Sequence, residues 1–114
     1  MEQANTSRPF WRQGDIYFVK LDQNGNGDLS DAKPVKDGVI ARGETTGHAH
    51  RVSNASIAAG ALLCLLRDAM FLQAPEAGAM IVHDEHGAVD LPEGVYAVVH
   101  QREFDGLTWR QVWD

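Results

Sequence analysis

The chain is organised around one short stretch, Thr46-Gly47-His48-Ala49-His50-Arg51, which holds two of the five histidines. Alternate side chains of a β-strand project from the same face. A strand over residues 45–52 would therefore place His48 and His50 on one face, about 6.6 Å apart along the chain. Two imidazoles at that spacing can bind one metal ion through bonds of about 2.0–2.1 Å. We predict a β-strand here that carries part of a metal site.

Outward from this stretch, the sequence predicts short β-strands separated by turn residues. The predicted strands are residues 15–21, 39–42, 45–52, 61–66, 70–74, 79–83, 88–91, 95–104 and 107–113, with an extended segment at 33–35. The alanines and leucines of residues 57–69 would also tolerate a helix. Because Gly60 interrupts such a helix, we predict a hairpin that turns at Arg67-Asp68.

Turn signals at intervals of roughly ten residues are typical of a β-sandwich or a small barrel. A length of 114 residues suits one domain. We predict a single all-β domain over residues 1–114, in which residues 1–9 form a loose lead-in. Its class is a β-barrel or jelly-roll sandwich.

The charge balance is acidic, with a formal net charge of −6. Nucleic acids and anionic membrane surfaces require a basic face, so we predict neither as a partner. The single cysteine, Cys64, excludes an internal disulfide and lies in an apolar run, where a buried hydrophobe is favoured over a reactive thiol. The sequence has no apolar run of membrane-spanning length and no visible signal peptide. We expect a cytoplasmic protein as written, or a secreted one if a signal was removed.

A second histidine cluster, His83-Asp84-Glu85-His86, follows about 35 residues later. Its two histidines are three residues apart, so on a regular strand they would face opposite ways. A turn at Asp84-Glu85 would bring both inward. We favour His86 as the third ligand and keep His83 as an alternative or a fourth ligand. Asp84 or Glu85 could accept a hydrogen bond from a ligating imidazole.

Two further polar side chains are candidates for chemistry near the metal. Glu85 could steer a proton, and Gln101 could orient an oxygen species, so we predict both as catalytic residues. Gln101 could equally belong to a polar row on an edge strand. His100 lies beside Gln101 and could equally be a simple polar residue of a strand. A site of three histidines suits copper, iron or zinc and suits magnesium or calcium poorly.

The stretch Asp22–Ser30 follows the first nine positions of a calcium-binding loop, with oxygen-bearing side chains and a glycine at the sixth position. The twelfth position is Lys33, where a bidentate glutamate is needed, and no helix is predicted on either side. We favour an Asn/Gly-rich hairpin loop over a calcium site.

The pair His48-Ala49-His50, a later histidine and the turn Pro92-Glu93-Gly94 resemble the cupin family. The wider pattern of residues 46–51, 83–86, 91–98 and 101–104 also resembles an uncharacterised bacterial and phage family. In size and ligand set the chain is similar to compact copper cupins that oxidise polysaccharides. The glutamate that often follows the cupin histidine pair is missing after His50, which favours copper or zinc.

These resemblances imply a cupin-like barrel that binds one transition metal ion, with copper favoured and iron or zinc possible. They imply an oxidoreductase that uses oxygen or peroxide and acts on a small molecule or a carbohydrate such as cellulose. The alternative is a non-catalytic β module, held by a structural zinc ion or serving as a ligand-binding or interaction domain. We also expect a homodimer, because the long strand at residues 95–104 would be a poor edge to leave bare.

Overall fold

The computed structural model describes residues 8–21, 29–42 and 48–101. Within these ranges the chain forms ten β-strands and one short helix. They are β1 (Phe10–Gln13), β2 (Ile16–Lys20), β3 (Lys33–Pro34), β4 (Val39–Arg42), β5 (Ala49–Val52), α1 (Asn54–Ala58), β6 (Leu62–Leu66), β7 (Ala69–Ala74), β8 (Ala79–Val82), β9 (Val89–Leu91) and β10 (Gly94–His100). Most of the predicted Asn/Gly-rich loop, residues 22–28, and the strand predicted at 107–113 lie outside the described residues.

The strands form two antiparallel sheets, one in the order β1-β2-β10-β7-β6-β3 and the other in the order β4-β5-β8-β9. The prediction of an all-β fold is confirmed. In the described part of the chain the two sheets share no strand and do not close on each other. A closed barrel or jelly roll therefore stays a prediction. Among these residues no helix is long and apolar enough to cross a membrane.

The main core contains buried side chains from both sheets. Phe18 and Tyr96 of the larger sheet belong to the same buried cluster as Val52 and Ile81 of the smaller sheet. A second cluster, made of Tyr17, Val19, Ala97 and Val99, includes the intervening residues of β2 and β10. Because neighbouring strand residues face opposite ways, the two clusters lie on opposite faces of the larger sheet. Burial on both faces explains why residues 16–19 of β2 form a continuous apolar run.

The longest strand, β10, lies inside the larger sheet and pairs with β2 on one side and with β7 on the other. It is not an edge strand, so the argument for a homodimer from an unpaired edge at residues 95–104 was wrong. The homodimer itself stays a prediction.

The hairpin predicted at residues 61–74 is confirmed as β6 and β7. Leu66 pairs with Ala69, so Arg67 and Asp68 form the two-residue turn. Arg67 has a φ of 57°, the left-handed conformation that tight hairpin turns require.

Two elements differ from the sequence prediction. Residues 10–13, where no strand was predicted, form β1 and pair with β2 through the turn Gly14-Asp15. The helix α1 begins after Ser53, whose hydroxyl accepts a hydrogen bond from the backbone N–H of Ser56 at 3.1 Å. Serine is a favoured residue at this capping position, which is a local signal for the helix.

Candidate metal centre

Three imidazoles meet at one end of the smaller sheet. His50, His83 and His86 each offer one nitrogen, and these nitrogens lie within 4.8 Å of one another. Ligand nitrogens bound at 2.0–2.1 Å around one tetrahedral ion are roughly 3.3 Å apart, so small side-chain movements would close this imidazole cluster onto a metal. The three histidines of the cluster could therefore bind a metal ion.

Different local structures carry the three rings. His50 lies on β5 and is buried, whereas His83 directly follows β8 and is half-buried. A bend over residues 84–86 turns the chain back, so that exposed His86 stacks on His50 with ring centroids 5.7 Å apart. The sequence left open whether His83 or His86 joins His50, and the bend places both within reach.

The buried amide of Gln13 forms a hydrogen bond with the His50 ring. Its Oε1 lies 2.9 Å from Nδ1 of His50. Its Nε2 donates hydrogen bonds to the carbonyl oxygens of Ile81, at 3.1 Å, and Gly87, at 2.9 Å. Gln13 is 2% exposed, yet every one of these polar atoms has a partner. Since β1 packs against β9 of the other sheet, Gln13 at the end of β1 reaches both β8 and the bend.

The environment of His50 disfavours its charged form. Burial lowers its pKa from 6.5 to about 4, the neighbouring histidines His83, His86 and His100 act in the same direction, and Asp15 opposes them. Neutral imidazole is the form that binds metals, so the buried ring is ready to ligate at neutral pH.

His83 is held by the bend itself. Its Nδ1 accepts hydrogen bonds from the backbone N–H groups of Glu85, at 3.0 Å, and His86, at 3.3 Å. An imidazole nitrogen that accepts such bonds carries no proton, so in the neutral ring the proton lies on Nε2. Ligation by His83 therefore requires either loss of these two bonds at Nδ1 or loss of the proton from Nε2.

The turn between β1 and β2 closes the imidazole cluster on another side. Gly14 has a φ of +59°, and a Cβ atom on it would lie 2.9 Å from Nε2 of His86 and 3.2 Å from Cε1 of His50. The neighbouring Asp15 places Oδ1 3.7 Å from Nε2 of His50. The turn thus combines close approach to two rings with a carboxylate beside the buried one.

His48 lies at the rim of the imidazole cluster, one residue before β5 begins. Its Nε2 is 3.8 Å from Oδ2 of Asp84 and its Nδ1 is 3.5 Å from Oε2 of Glu85. Its ring centroid is 6.0 Å from that of His83. His48 is not one of the three residues whose nitrogens lie within 4.8 Å, and its assignment as a ligand stays a prediction.

The two predicted catalytic residues border the same region. Glu85 is exposed in the bend and faces His48. The backbone N–H of Gln101 donates a hydrogen bond to the carbonyl oxygen of Asp15 at 2.8 Å, and its side chain is exposed. The catalytic roles of Glu85 and Gln101 stay predictions. Cys64 is fully buried on β6, as expected of a small core residue.

The sequence patterns did not indicate Gln13, Gly14 and Asp15 as residues of the site. A glycine next to an aspartate is a turn signal, and a following run of β-forming residues suggests a hairpin. No local pattern, however, indicates that this turn meets a bend some 70 residues later.

Comparison with known proteins finds a matching family model. A family model described as a domain of unknown function, DUF8820, matches residues 12–101. No curated protein and no solved structure matches the chain. The matched range contains Gln13, Gly14, Asp15 and all three histidines of the imidazole cluster.

Proposed function

The chain belongs to the DUF8820 family, and we propose that this member binds one transition metal ion through His50, His83 and His86. The observation that carries the proposal is the approach of three imidazole nitrogens to within 4.8 Å of one another. His50 supports it further, because this ring is buried and its Nδ1 is bonded to Gln13. Burial also lowers the pKa of His50, so this ring is uncharged at neutral pH and able to bind a cation.

We propose copper as the ion, with iron and zinc as alternatives, and an oxidoreductase that uses oxygen or peroxide. Three nitrogen donors suit all three metals. A thiolate site is disfavoured because the sole cysteine, Cys64, is buried among the β6–β7 side chains. A bound copper or iron ion would supply one-electron chemistry. The exposed His86 opens the imidazole cluster to solvent, which suits a small oxidant or a carbohydrate such as cellulose.

The binding proposal is tested by titration with Zn(II) or Cu(II). His50→Asn keeps a donor at the position of Nδ1 and removes Nε2, and we expect it to lose stoichiometric binding. His100→Asn is the matched control, because His100 is a neighbouring histidine outside the imidazole cluster; it should bind one equivalent. Equal binding by both variants would place the site elsewhere.

The redox proposal requires a separate assay. The copper-loaded protein is given a reductant, and oxygen consumption and peroxide turnover are followed with and without cellulose. We expect turnover above that of free copper and loss of the excess in His50→Asn. Turnover equal to that of free copper would reject the oxidoreductase and leave metal binding intact.

A second candidate function is a closed structural site. Asp15, with Oδ1 3.7 Å from Nε2 of His50, could complete three histidines as a fourth ligand. Four protein ligands in a tetrahedron are typical of structural zinc. Asp15→Asn should then lower the thermal stability of the zinc-loaded protein markedly. If Asp15 is not a ligand and the site is open, the same substitution should change the thermal stability little.

A further inference from the structure

Gln13 has an amide orientation that its partners determine. Its nitrogen faces the carbonyl oxygens of Ile81 and Gly87, at 3.1 and 2.9 Å. Carbonyl oxygens only accept hydrogen bonds, so the amide nitrogen must lie on this side. A reversed amide would place its oxygen against two acceptors in a buried position. Oε1 of Gln13 therefore faces Nδ1 of His50.

The consequence concerns the proton of His50. Because Oε1 can only accept, Nδ1 of His50 must donate, and the neutral ring then has its lone pair on Nε2. We propose that Gln13 is the positioning residue of the metal centre: it holds His50 in the Nδ1–H tautomer and leaves Nε2 as the ligand nitrogen. The role at the metal rests on the proposed function, but the tautomer does not.

The same amide also positions the other two ligands. Gly87 directly follows His86, and Ile81 lies two residues before His83. By bonding to both carbonyls, Gln13 joins the end of β1 to β8 and to the bend. One side chain, 2% exposed, thus fixes the ring of His50 and the segment that carries His83 and His86. Mutation of a residue that hydrogen-bonds to a metal ligand typically lowers metal affinity by about 10- to 100-fold.

The first test uses the metal-free wild-type protein with ¹⁵N-labelled histidine at neutral pH. Two-bond proton–nitrogen correlations distinguish the Nδ1–H from the Nε2–H tautomer. We expect the Nδ1–H pattern for His50. An Nε2–H pattern would overturn the proposal, whether or not the protein binds metal.

The second test compares Gln13→Met with Gln73→Met, in which an exposed glutamine of β7 receives the same change. Both proteins are examined for folding, for the His50 tautomer and for Zn(II) affinity. We expect Gln13→Met to lose the single tautomer and about 10- to 100-fold of affinity, and Gln73→Met to retain both. A folded Gln13→Met with the wild-type tautomer and affinity would overturn the proposal.

The two proposals fail in different ways. An Nδ1–H pattern in a wild-type protein that takes up no Zn(II) supports the role of Gln13 in fixing the ring and rejects the metal. Zn(II) binding with an Nε2–H pattern for His50 supports the metal and rejects the role of Gln13 in fixing the ring. If Gln13→Met does not fold, the wild-type spectrum alone decides.

Discussion

A Cβ atom placed on Gly14 would lie 2.9 Å from Nε2 of His86. The ring of His86 can therefore lie this close to the backbone of residue 14 only because residue 14 has no side chain. The φ of +59° adds a second reason for glycine, since this conformation costs other residues about 1–2 kcal/mol.

Gly14→Ala should weaken both metal binding and the fold. The exposed ring of His86 can swing away from the new methyl group, whereas the buried ring of His50, 3.2 Å from it, must shift slightly. Together with the backbone cost, we expect a loss of about 1–2 kcal/mol in the free energy of unfolding. The displaced ring of His86 can no longer ligate in place, and we expect affinity to fall about tenfold or more. Urea unfolding and Zn(II) titration measure the two effects.

Gly87→Ala is the control for this variant. A Cβ atom there meets nothing within 4 Å, and the residue lies beside His86. We expect its metal affinity to match that of the wild type. A loss as large as that of Gly14→Ala would mean that any substitution near the bend disturbs binding.

The stability of the metal-free protein should depend on pH through His50. Burial lowers the pKa of this ring from 6.5 to about 4, so between these values the unfolded chain binds a proton that the folded chain does not. The contribution is fully present above pH 6.5 and is lost as the pH falls toward 4. The integrated loss is on the order of 3 kcal/mol.

Chemical denaturation in the presence of a chelator, from pH 7 to pH 4, measures this loss. His50→Asn removes the titrating ring and should flatten the profile over the same range. A wild-type profile no steeper than that of His50→Asn would contradict the account.

Metal binding should disturb the bend at residues 84–86. The backbone N–H groups of Glu85 and His86 donate to Nδ1 of His83, and ligation by that ring alters or removes these bonds. We expect the amide resonances of Glu85 and His86 to shift on addition of Zn(II), while those of the β6–β7 hairpin stay in place. Unshifted bend amides at saturation would exclude His83 as a ligand.

His48 and His50 should differ in their effect on binding. The sequence pattern predicts both as ligands, whereas the distances favour His50 and leave His48 beside Asp84 and Glu85. We expect His48→Asn to retain one equivalent of metal with reduced affinity and His50→Asn to lose it. If the two variants lose binding equally, His48 is a ligand and the imidazole cluster rearranges to include it.

The hydroxyl of Tyr96 stabilises the connection between β9 and β10. Tyr96 is fully buried, and its OH donates a hydrogen bond to the carbonyl oxygen of Pro92 at 2.6 Å. Tyr96→Phe leaves that oxygen without its partner, and we expect a loss of about 1–2 kcal/mol in the free energy of unfolding. An unchanged urea midpoint would contradict the hydrogen bond.

The homodimer remains to be tested by sedimentation at micromolar concentration. Because β10 is internal, association would have to use another strand, and within the described residues the outermost strands are β1, β3, β4 and β9. We expect twice the chain mass of 12.5 kDa. A single-chain mass across that range would reject the dimer.

Local sequence patterns predicted much of the strand layout. The hairpin at Arg67-Asp68 followed from two strand-length apolar runs, and the five-residue helix was missed because its span is too short for a periodic signal. The edge assignment of residues 95–104 failed because strand order depends on long-range pairing with β2 and β7. Sequence spacing does not contain that pairing.

The candidate centre was predictable only in part, for the same reason. His50, His83 and His86 stood out as clustered histidines. No sequence pattern indicates Gln13, because its role arises from a hydrogen bond to Gly87, 74 residues away. The sheet order brings these residues together, and only the folded chain reveals it.

X-ray absorption spectroscopy tests most directly whether three imidazoles bind one metal ion. The protein is purified, stripped with a chelator, reconstituted with one equivalent of Cu(II) or Zn(II) and freed of excess ion. We expect one retained equivalent with three imidazole nitrogens in its coordination shell for the wild type, and no retained equivalent for His50→Asn. No retained metal, or a first shell of oxygen atoms without imidazole scattering, would contradict it.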